Sequence, residues 1–300
     1  MNFRDTTDEA TFRTEVQEFI RTEYVKGGGD AVASAAQAAS QAAQTGGAAA
    51  ALGAMDEYKQ WMRKLATRGW VAAAWPKEYG GAGMTIMEQF IFNEELALAR
   101  APRPGGIGIT MAGPTIIAYG NDEQRREHLS GMLSGEVTWC QGFSEPESGS
   151  DLASLKTRAV RDGDDYVVKG QKIWTTGAQF SERMILMART DPEAPKHKGI
   201  SYFLLDMKSP GVEVRPLVNM AGTSGFNEVF FENVRIPVKD LLGEENRGWY
   251  VGTTTLDYER SSIGTSIAQG QMVEDLVEWV KGSGVKMSDT ARAELADRFI

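Results

Sequence analysis

The side chains most often used for nucleophilic catalysis and metal binding are scarce in this chain. Its 300 residues include one cysteine, Cys140, and two histidines, His128 and His197, which lie far apart in sequence. A single cysteine excludes an internal disulfide and a cysteine-rich metal site, and neither histidine has a second ligand at metal-binding spacing. A Ser-His-Asp or Cys-His hydrolase is possible from these counts, but no local pattern supports one.

Two segments in the middle of the chain concentrate hydroxyl, aromatic and charged side chains. The first, residues 142–151, reads Gly-Phe-Ser-Glu-Pro-Glu-Ser-Gly-Ser-Asp, and the second, residues 169–176, reads Lys-Gly-Gln-Lys-Ile-Trp-Thr-Thr. No glycine-rich phosphate-binding pattern follows any strand-like run of the sequence, so we do not expect a Rossmann-type cofactor site.

Helical periodicity dominates the chain before these segments. Apolar residues recur at helical spacing within residues 12–20, 55–68, 85–100 and 112–133. Residues 26–54 are mostly Ala, Gly, Gln and Ser, and we expect them to form a flexible or partly helical surface insertion. The pattern therefore predicts an N-terminal all-α domain over residues 1–137.

The period changes from helical to strand at about Thr138. Short runs rich in β-branched and aromatic residues follow at 166–168, 184–188, 200–205, 212–214 and 228–231. Turn signals separate them at 162–165, 169–170 and 209–211. They predict a central antiparallel β-domain over residues 138–244 and not alternating β-α-β units. Helical spacing returns from Gly248, so residues 245–300 read as the start of a C-terminal helical domain, and the fold class is α+β.

Charge and hydropathy exclude several kinds of partner. The net charge is −9 and the isoelectric point is near 5.0, whereas nucleic acids and anionic membranes require a basic face. No apolar run approaches the roughly 20 residues of a membrane-spanning helix. The first ten residues are charged and polar, without the pattern of a signal peptide, so we expect a cytoplasmic protein.

The two central segments resemble those of the acyl-CoA dehydrogenase family. Residues 75–83, 113–124 and 230–237 also match it, so the resemblance covers nearly the whole chain. It implies an N-terminal helical domain, a central β-barrel and a C-terminal four-helix bundle, here incomplete, in an oligomer of like or unlike chains. It also implies FAD as cofactor, an acyl-CoA thioester as substrate and an electron-transfer flavoprotein as electron acceptor.

A flavin ring needs an aromatic wall and hydrogen-bond donors along its carbonyl and nitrogen edges. The resemblance assigns Trp174 to the wall and Thr176 to the N5/O4 side. It assigns Ser144, with the backbone of Phe143 and Glu145, to the pyrimidine edge. Gln141 and Thr175 belong to the same cofactor-binding set. The alternatives are a core or inter-domain position for the tryptophan and turn capping for the hydroxyl residues.

The resemblance also supplies candidates for binding and attacking the substrate. Ser150 matches the position that holds the acyl-CoA near its thioester, although it or Asp151 could equally cap a turn. The stretch Leu-Asp-Tyr-Glu-Arg over residues 256–260 matches a site of the family's catalytic glutamate, so Glu259 is the expected base for the α-proton. The alternative for Glu259 is a solvated glutamate paired with a cation.

The neighbours of this glutamate complete the expected site. Asp257 and Tyr258 are expected along the acyl pocket, and Arg260 on the local network or the CoA side. Residues 282–289 lack the family's Arg-x-x-Phe-Gly loop, a departure that resembles divergent bacterial members working as pairs of unlike subunits. A non-catalytic or truncated partner subunit is therefore the alternative function. A flavin monooxygenase is a third, which Glu259 opposes.

Overall fold

A computed structural model describes residues 5–24, 48–220, 222, 224–259 and 263–299. Its helices are α1 (Thr7–Glu23), α2 (Ala48–Ala66), α3 (Ile86–Leu98), α4 (Gly113–Tyr119), α5 (Asp122–Ser134), α6 (Gly248–Glu259), α7 (Ile263–Ser283) and α8 (Asp289–Phe299). Contacts divide the chain into two compact units, one of Met1–Gly29, Met84–Arg103 and Ser261–Ile300, the other of Asp30–Gly83 and Pro104–Arg260. No helix within the described ranges is long and apolar enough to cross a membrane.

The first unit consists of α1, α3, α7 and α8. A capping box begins both α1 and α3: Thr6 with Glu9, and Thr85 with Glu88, each pair satisfying backbone donors of the first turn. Arg13 on α1 contacts α3 through ion pairs with Glu94 at 2.5 Å and with Glu95 at 2.6 Å. The helices α1 and α3 are thus joined by charge as well as by apolar packing.

The second unit is built on a curled sheet of seven strands. They are β1 (Trp139–Gly142), β2 (Arg158–Asp162), β3 (Asp165–Lys172), β4 (Arg183–Arg189), β5 (Ile200–Asp206), β6 (Val212–Leu217) and β7 (Phe226–Pro237). The strand order is β1-β4-β2-β3-β7-β6, and β5 pairs with β4. Four of the pairings are antiparallel, but β1 lies parallel to β4, and β2 meets β4 in parallel at Arg158 and Arg189.

The two faces of this sheet bury different sets of side chains. On β4, Ile185 and Met187 belong to the cluster that includes residues of α4, α5 and α6, whereas Met184 and Leu186 belong to the cluster on the opposite face. Because both faces of β4 and β5 are covered, these strands read as continuous apolar runs in the sequence.

The predicted α+β class is confirmed, with helices before and after a central sheet. One local expectation was wrong: Gly170 is not in a turn but at a bulge within β3, opposite β7. Its φ is +153°, and a Cβ there would lie 2.5 Å from Thr157 Oγ1, so glycine permits a close approach of β3 to the residue that precedes β2. Residues 26–47 of the expected insertion lie outside the described residues, and α2 begins at Ala48. The domain limits near 137 and 244 stay predictions.

Candidate active site

The fold brings the two chemistry-bearing segments side by side. The backbone N–H of Ile173 donates to the carbonyl of Ser144 at 2.9 Å. One residue earlier, Lys172 Nζ donates to the carbonyl of Phe143 at 3.0 Å. Two consecutive residues of the second segment therefore hold two consecutive carbonyls of the first.

A buried ion pair underlies this junction. Lys172 Nζ lies 2.8 Å from Glu145 Oε1, and the two side chains are 0% and 7% exposed. The Glu145 carboxylate also accepts the backbone N–H groups of Lys156 at 2.6 Å and Thr157 at 2.9 Å. Burial lowers the pKa of Lys172 to about 8, partly offset by Glu145, so the amine stays charged at neutral pH. Burial acts to raise the pKa of Glu145, but Lys172 and the hydrogen bonds hold it below its ordinary value.

Sequence reasoning did not single out this ion pair. Glu145 and Lys172 were both visible within the matching segments, but each reads locally as an ordinary charged residue. The signal that could have found them is the rarity of a charge within segments expected to be buried, since such charges are almost always paired.

Trp174 is held in a strained and exposed position. Its φ is +61°, in the left-handed region that bulky residues avoid, and its side chain is 60% exposed. The ring of Phe226 contacts it edge-to-face at 6.0 Å between centroids. Asn227 anchors the next residue by exchanging backbone hydrogen bonds with Thr175, N to O at 3.0 and 3.1 Å. The core position that was an alternative for this tryptophan is therefore wrong.

The hydroxyl residues around Trp174 differ in exposure. Thr176 is exposed and Ser144 is half-buried, so both hydroxyls can face a ligand. Thr175 is buried, and its Oγ1 has no hydrogen-bond partner within the described ranges. An exposed indole, two accessible hydroxyls and an unsatisfied buried one are a donor set that fits the flat ring and polar edge of a flavin.

The remaining cofactor candidates lie on β1 or immediately after it. Gln141 is half-buried and pairs with Ile185 of β4. Phe143 points into the core, where its ring meets Tyr202 edge-to-face at 5.8 Å. Phe143 can therefore contact a cofactor only through its backbone.

The turn that carries Ser150 is built by other residues. Ser148, not Ser150, bonds this turn, donating from Oγ to the carbonyl of Asp151 at 2.8 Å, and no side chain caps the helical turn at 152–154. Ser150 is exposed, and Asp151 pairs instead with Lys196 at 2.9 Å. Buried Arg189 supports the same turn by donating to the carbonyls of Ala153 and Leu155.

Helix α6 is seated on the sheet through small residues. A Cβ at Gly248 would lie 2.4 Å from the backbone of Ser201, and one at Gly252 would lie 2.7 Å from Met187 Sδ. One turn further on, buried Thr255 Oγ1 lies 3.1 Å from the hydroxyl of Tyr202. These contacts fix the face of α6 that meets the strands.

The expected base comes at the end of that helix. At about 100° per residue, position 259 lies on the same face as Gly248, Gly252 and Thr255, whereas Asp257 lies on the opposite, exposed face. Tyr258 is 39% exposed. The side chain of Glu259 and the whole of Arg260 lie outside the described residues. Thr255, Tyr202 and Phe143 thus form a chain of contacts from α6 to the residue before Ser144.

Family models match most of the chain. The acyl-CoA dehydrogenase N-terminal domain matches residues 6–136, and the acyl-CoA dehydrogenase middle domain matches residues 140–234. Among solved structures, the Tcur3481-Tcur3483 steroid ACAD is 34% identical with a TM-score of 0.79, covering 99% of this chain and 73% of its own. The chain therefore belongs to the acyl-CoA dehydrogenase family.

Mycobacterial proteins are prominent among the relatives. The acyl-CoA dehydrogenase FadE34 of Mycobacterium tuberculosis is 43% identical over 253 residues, which are 84% of this chain and 35% of FadE34. The ChsE4-ChsE5 complex of the same organism is 33% identical with a TM-score of 0.77, covering 99% of this chain and 74% of the solved chain. Measured against four curated mycobacterial relatives, the chain spans between 35% and 62% of their length.

Proposed function

We propose that this chain binds FAD and takes part in the α,β-dehydrogenation of an acyl-CoA thioester to the 2-enoyl-CoA. The observation that carries the proposal is the exposed, left-handed Trp174, fixed by backbone hydrogen bonds beside Ser144 and Thr176. Such strain persists where the surrounding structure imposes it, and it is concentrated at ligand sites. Membership of the family supports FAD as this ligand.

The residues of the site divide the work of the reaction. Bound FAD would supply the electron-accepting ring that takes the β-hydride. Trp174 would stack on this ring, and the hydroxyls of Ser144 and Thr176 would donate to its edges, where negative charge accumulates on reduction. Electrons would leave to an electron-transfer flavoprotein.

Glu259 would accept the α-proton. Position 259 lies on the sheet-facing side of α6, one turn after buried Thr255, and a carboxylate is a side-chain type that can serve as the base for this step. Ser150 would contact the acyl-CoA from its exposed turn, with Asp257, Tyr258 and Arg260 around the acyl and CoA groups. Each of these substrate roles belongs to the proposal.

We propose a ring-bearing acyl group as the substrate class. Two of the structural relatives, at 34% and 33% identity, are described as a steroid ACAD and its variant. A third structural relative favours an assembly with an unlike chain of the family, because it is a complex of ChsE4 with ChsE5.

A partner subunit without its own turnover is the second candidate. Two observations favour it: residues 282–289 lack the Arg-x-x-Phe-Gly sequence, and one structural relative is a complex of two named chains. Such a subunit would keep the fold and the family surfaces while an unlike chain supplies the competent site.

A visible absorption spectrum of the purified protein, before and after adding a panel of acyl-CoAs, separates the candidates. A bound-flavin band that bleaches with one thioester is the result expected for the dehydrogenase. Steroid-type and straight-chain thioesters in the same panel test the substrate class. A protein that stays colourless after incubation with FAD would contradict the proposal and favour the partner subunit.

A further inference from the structure

We propose that Lys172 is a positioning residue for the flavin site, a role that rests on the proposed function. Lys172 belongs to the second segment, and its side chain contacts both the backbone and a side chain of the first segment. Lys172 Nζ donates to the carbonyl of Phe143 at 3.0 Å and pairs with Glu145 Oε1 at 2.8 Å. Ser144, between these two residues, supplies a hydroxyl of the proposed site.

The geometry ties the flavin wall to the flavin edge. Lys172 is two residues before Trp174, and the intervening Ile173 donates its N–H to the carbonyl of Ser144 at 2.9 Å. The two residues before Trp174 are therefore joined to Phe143 and Ser144 by adjacent hydrogen bonds, one of them donated by a charged amine. A charged hydrogen bond in a dry site is stiffer and stronger than a neutral one, so it resists relative movement of the segments.

The ion pair fixes the relative positions of the site residues and does not only stabilise the fold. Lys172 is fully buried, and removing both charges of such a pair in favour of neutral groups is often neutral or stabilising. The Glu145 carboxylate also accepts hydrogen bonds from the N–H groups of Lys156 and Thr157. These bonds join the two ends of the stretch that contains Ser150. The pair thus connects three parts of the proposed site: Trp174, Ser144 and the turn at Ser150.

The test compares substitutions at the buried ion pair with a control substitution elsewhere on strand β3. Lys172→Met leaves Glu145 buried and unpaired, so the double variant Glu145→Gln with Lys172→Met removes both charges and keeps the volumes. The matched control is Lys169→Met on the same strand, because Lys169 makes an exposed ion pair with Glu232 at 3.1 Å. For each protein, the melting temperature, the dissociation constant for FAD and the visible circular dichroism of bound flavin are measured.

We expect the double variant to melt near the wild-type temperature, to bind FAD about tenfold more weakly or worse, and to change the visible dichroism of the flavin. The control should match the wild type in all three measurements. A folded double variant with wild-type FAD affinity and dichroism would overturn the role of Lys172. A double variant that does not fold would also overturn it, by assigning the pair to stability. Wild-type protein that binds no FAD would instead reject the proposed function.

Discussion

Trp174 is the bulkiest of the four non-glycine residues that have a positive φ in the described part of the chain. A left-handed backbone costs a bulky L-residue roughly 1–2 kcal/mol, and an indole that is 60% exposed recovers little of this through burial. The hydrogen bonds of Ile173 and Thr175 on either side hold the backbone there. The conformation of Trp174 thus lowers the stability of the fold and leaves an aromatic surface exposed.

We therefore expect Trp174→Ala to weaken FAD binding by about tenfold, since stacking on an aromatic ring contributes roughly 1–3 kcal/mol. The free energy of unfolding should change by less than about 1 kcal/mol, because most of the side chain is exposed. Flavin titration and urea unfolding measure the two effects. Trp279→Ala is the control, since Trp279 on α7 has the same 60% exposure; equal losses of affinity in both variants would contradict the role of Trp174.

Glu259 is the second residue whose role can be tested alone. Glu259→Gln keeps the size of the side chain but removes the proton acceptor, so turnover should fall by about 10²–10⁴-fold. The visible absorbance of bound FAD should remain, because the amide leaves the flavin contacts intact. Stopped-flow bleaching of the flavin measures the loss. Glu274→Gln on α7 is the control, and unchanged bleaching in Glu259→Gln would remove the residue from the mechanism.

At the scale of elements, the seating of α6 decides where its last residue lies. Two glycines let the helix approach β4 and β5 closely, and the buried hydroxyls of Thr115, Thr255 and Tyr202 join it to the core. A helix whose backbone lies this close to the strands has little freedom to slide along the sheet. The position of residue 259 is thereby set by contacts two and three turns earlier.

A glycine series tests this seating. Gly248→Ala should lower the free energy of unfolding by about 1–3 kcal/mol, because its Cβ would meet backbone atoms of Ser201 that cannot move aside. Gly252→Ala should cost less, since it meets the flexible end of Met187. Gly270→Ala on α7, with open space around it, should instead stabilise by about 0.5–1 kcal/mol. Urea unfolding ranks the three, and equal effects would show that close approach does not hold α6.

At the scale of the whole molecule, two buried titratable groups oppose each other in acid. Burial lowers the pKa of His128 to about 4, and burial raises the pKa of Asp240 to about 6. A ring nitrogen of His128 and one carboxylate oxygen each of Asp240 and Glu127 lie within 4.8 Å of one another. As pH falls from 6.5 to 4, His128 becomes protonated in the unfolded state but stays neutral in the folded state. The free energy of unfolding therefore decreases. Asp240 acts in the reverse direction, because its folded form protonates first.

Single substitutions should therefore separate the effects of His128 and Asp240 on the pH dependence of the free energy of unfolding. In Asp240→Asn, the free energy of unfolding should fall by about 2 kcal/mol more than in wild type between pH 6.5 and 4. In His128→Gln, it should fall less than in wild type or rise. Chemical unfolding across this pH range measures both. Parallel pH profiles for the two variants would mean that neither group is perturbed as its burial requires.

Local pattern was enough to predict a large part of this protein. Apolar spacing located most helices and five of the seven strands, because period and β-branched content are properties of short segments. It did not find β1, which has only four residues, or β2, whose side chains are mostly exposed and charged. The expected turn at Gly170 was wrong for a related reason, since a glycine marks a close approach without saying which kind.

The α+β class, the family and the two segments that carry the candidate site follow from the order of the amino acids, because they depend on residue types at fixed short spacings. Three features became visible only in the folded chain: the buried pair of Lys172 and Glu145, the exposed Trp174 at positive φ, and the parallel pairing of β1 with β4. Each of these depends on residues brought together from distant parts of the chain, and no local period records such contacts.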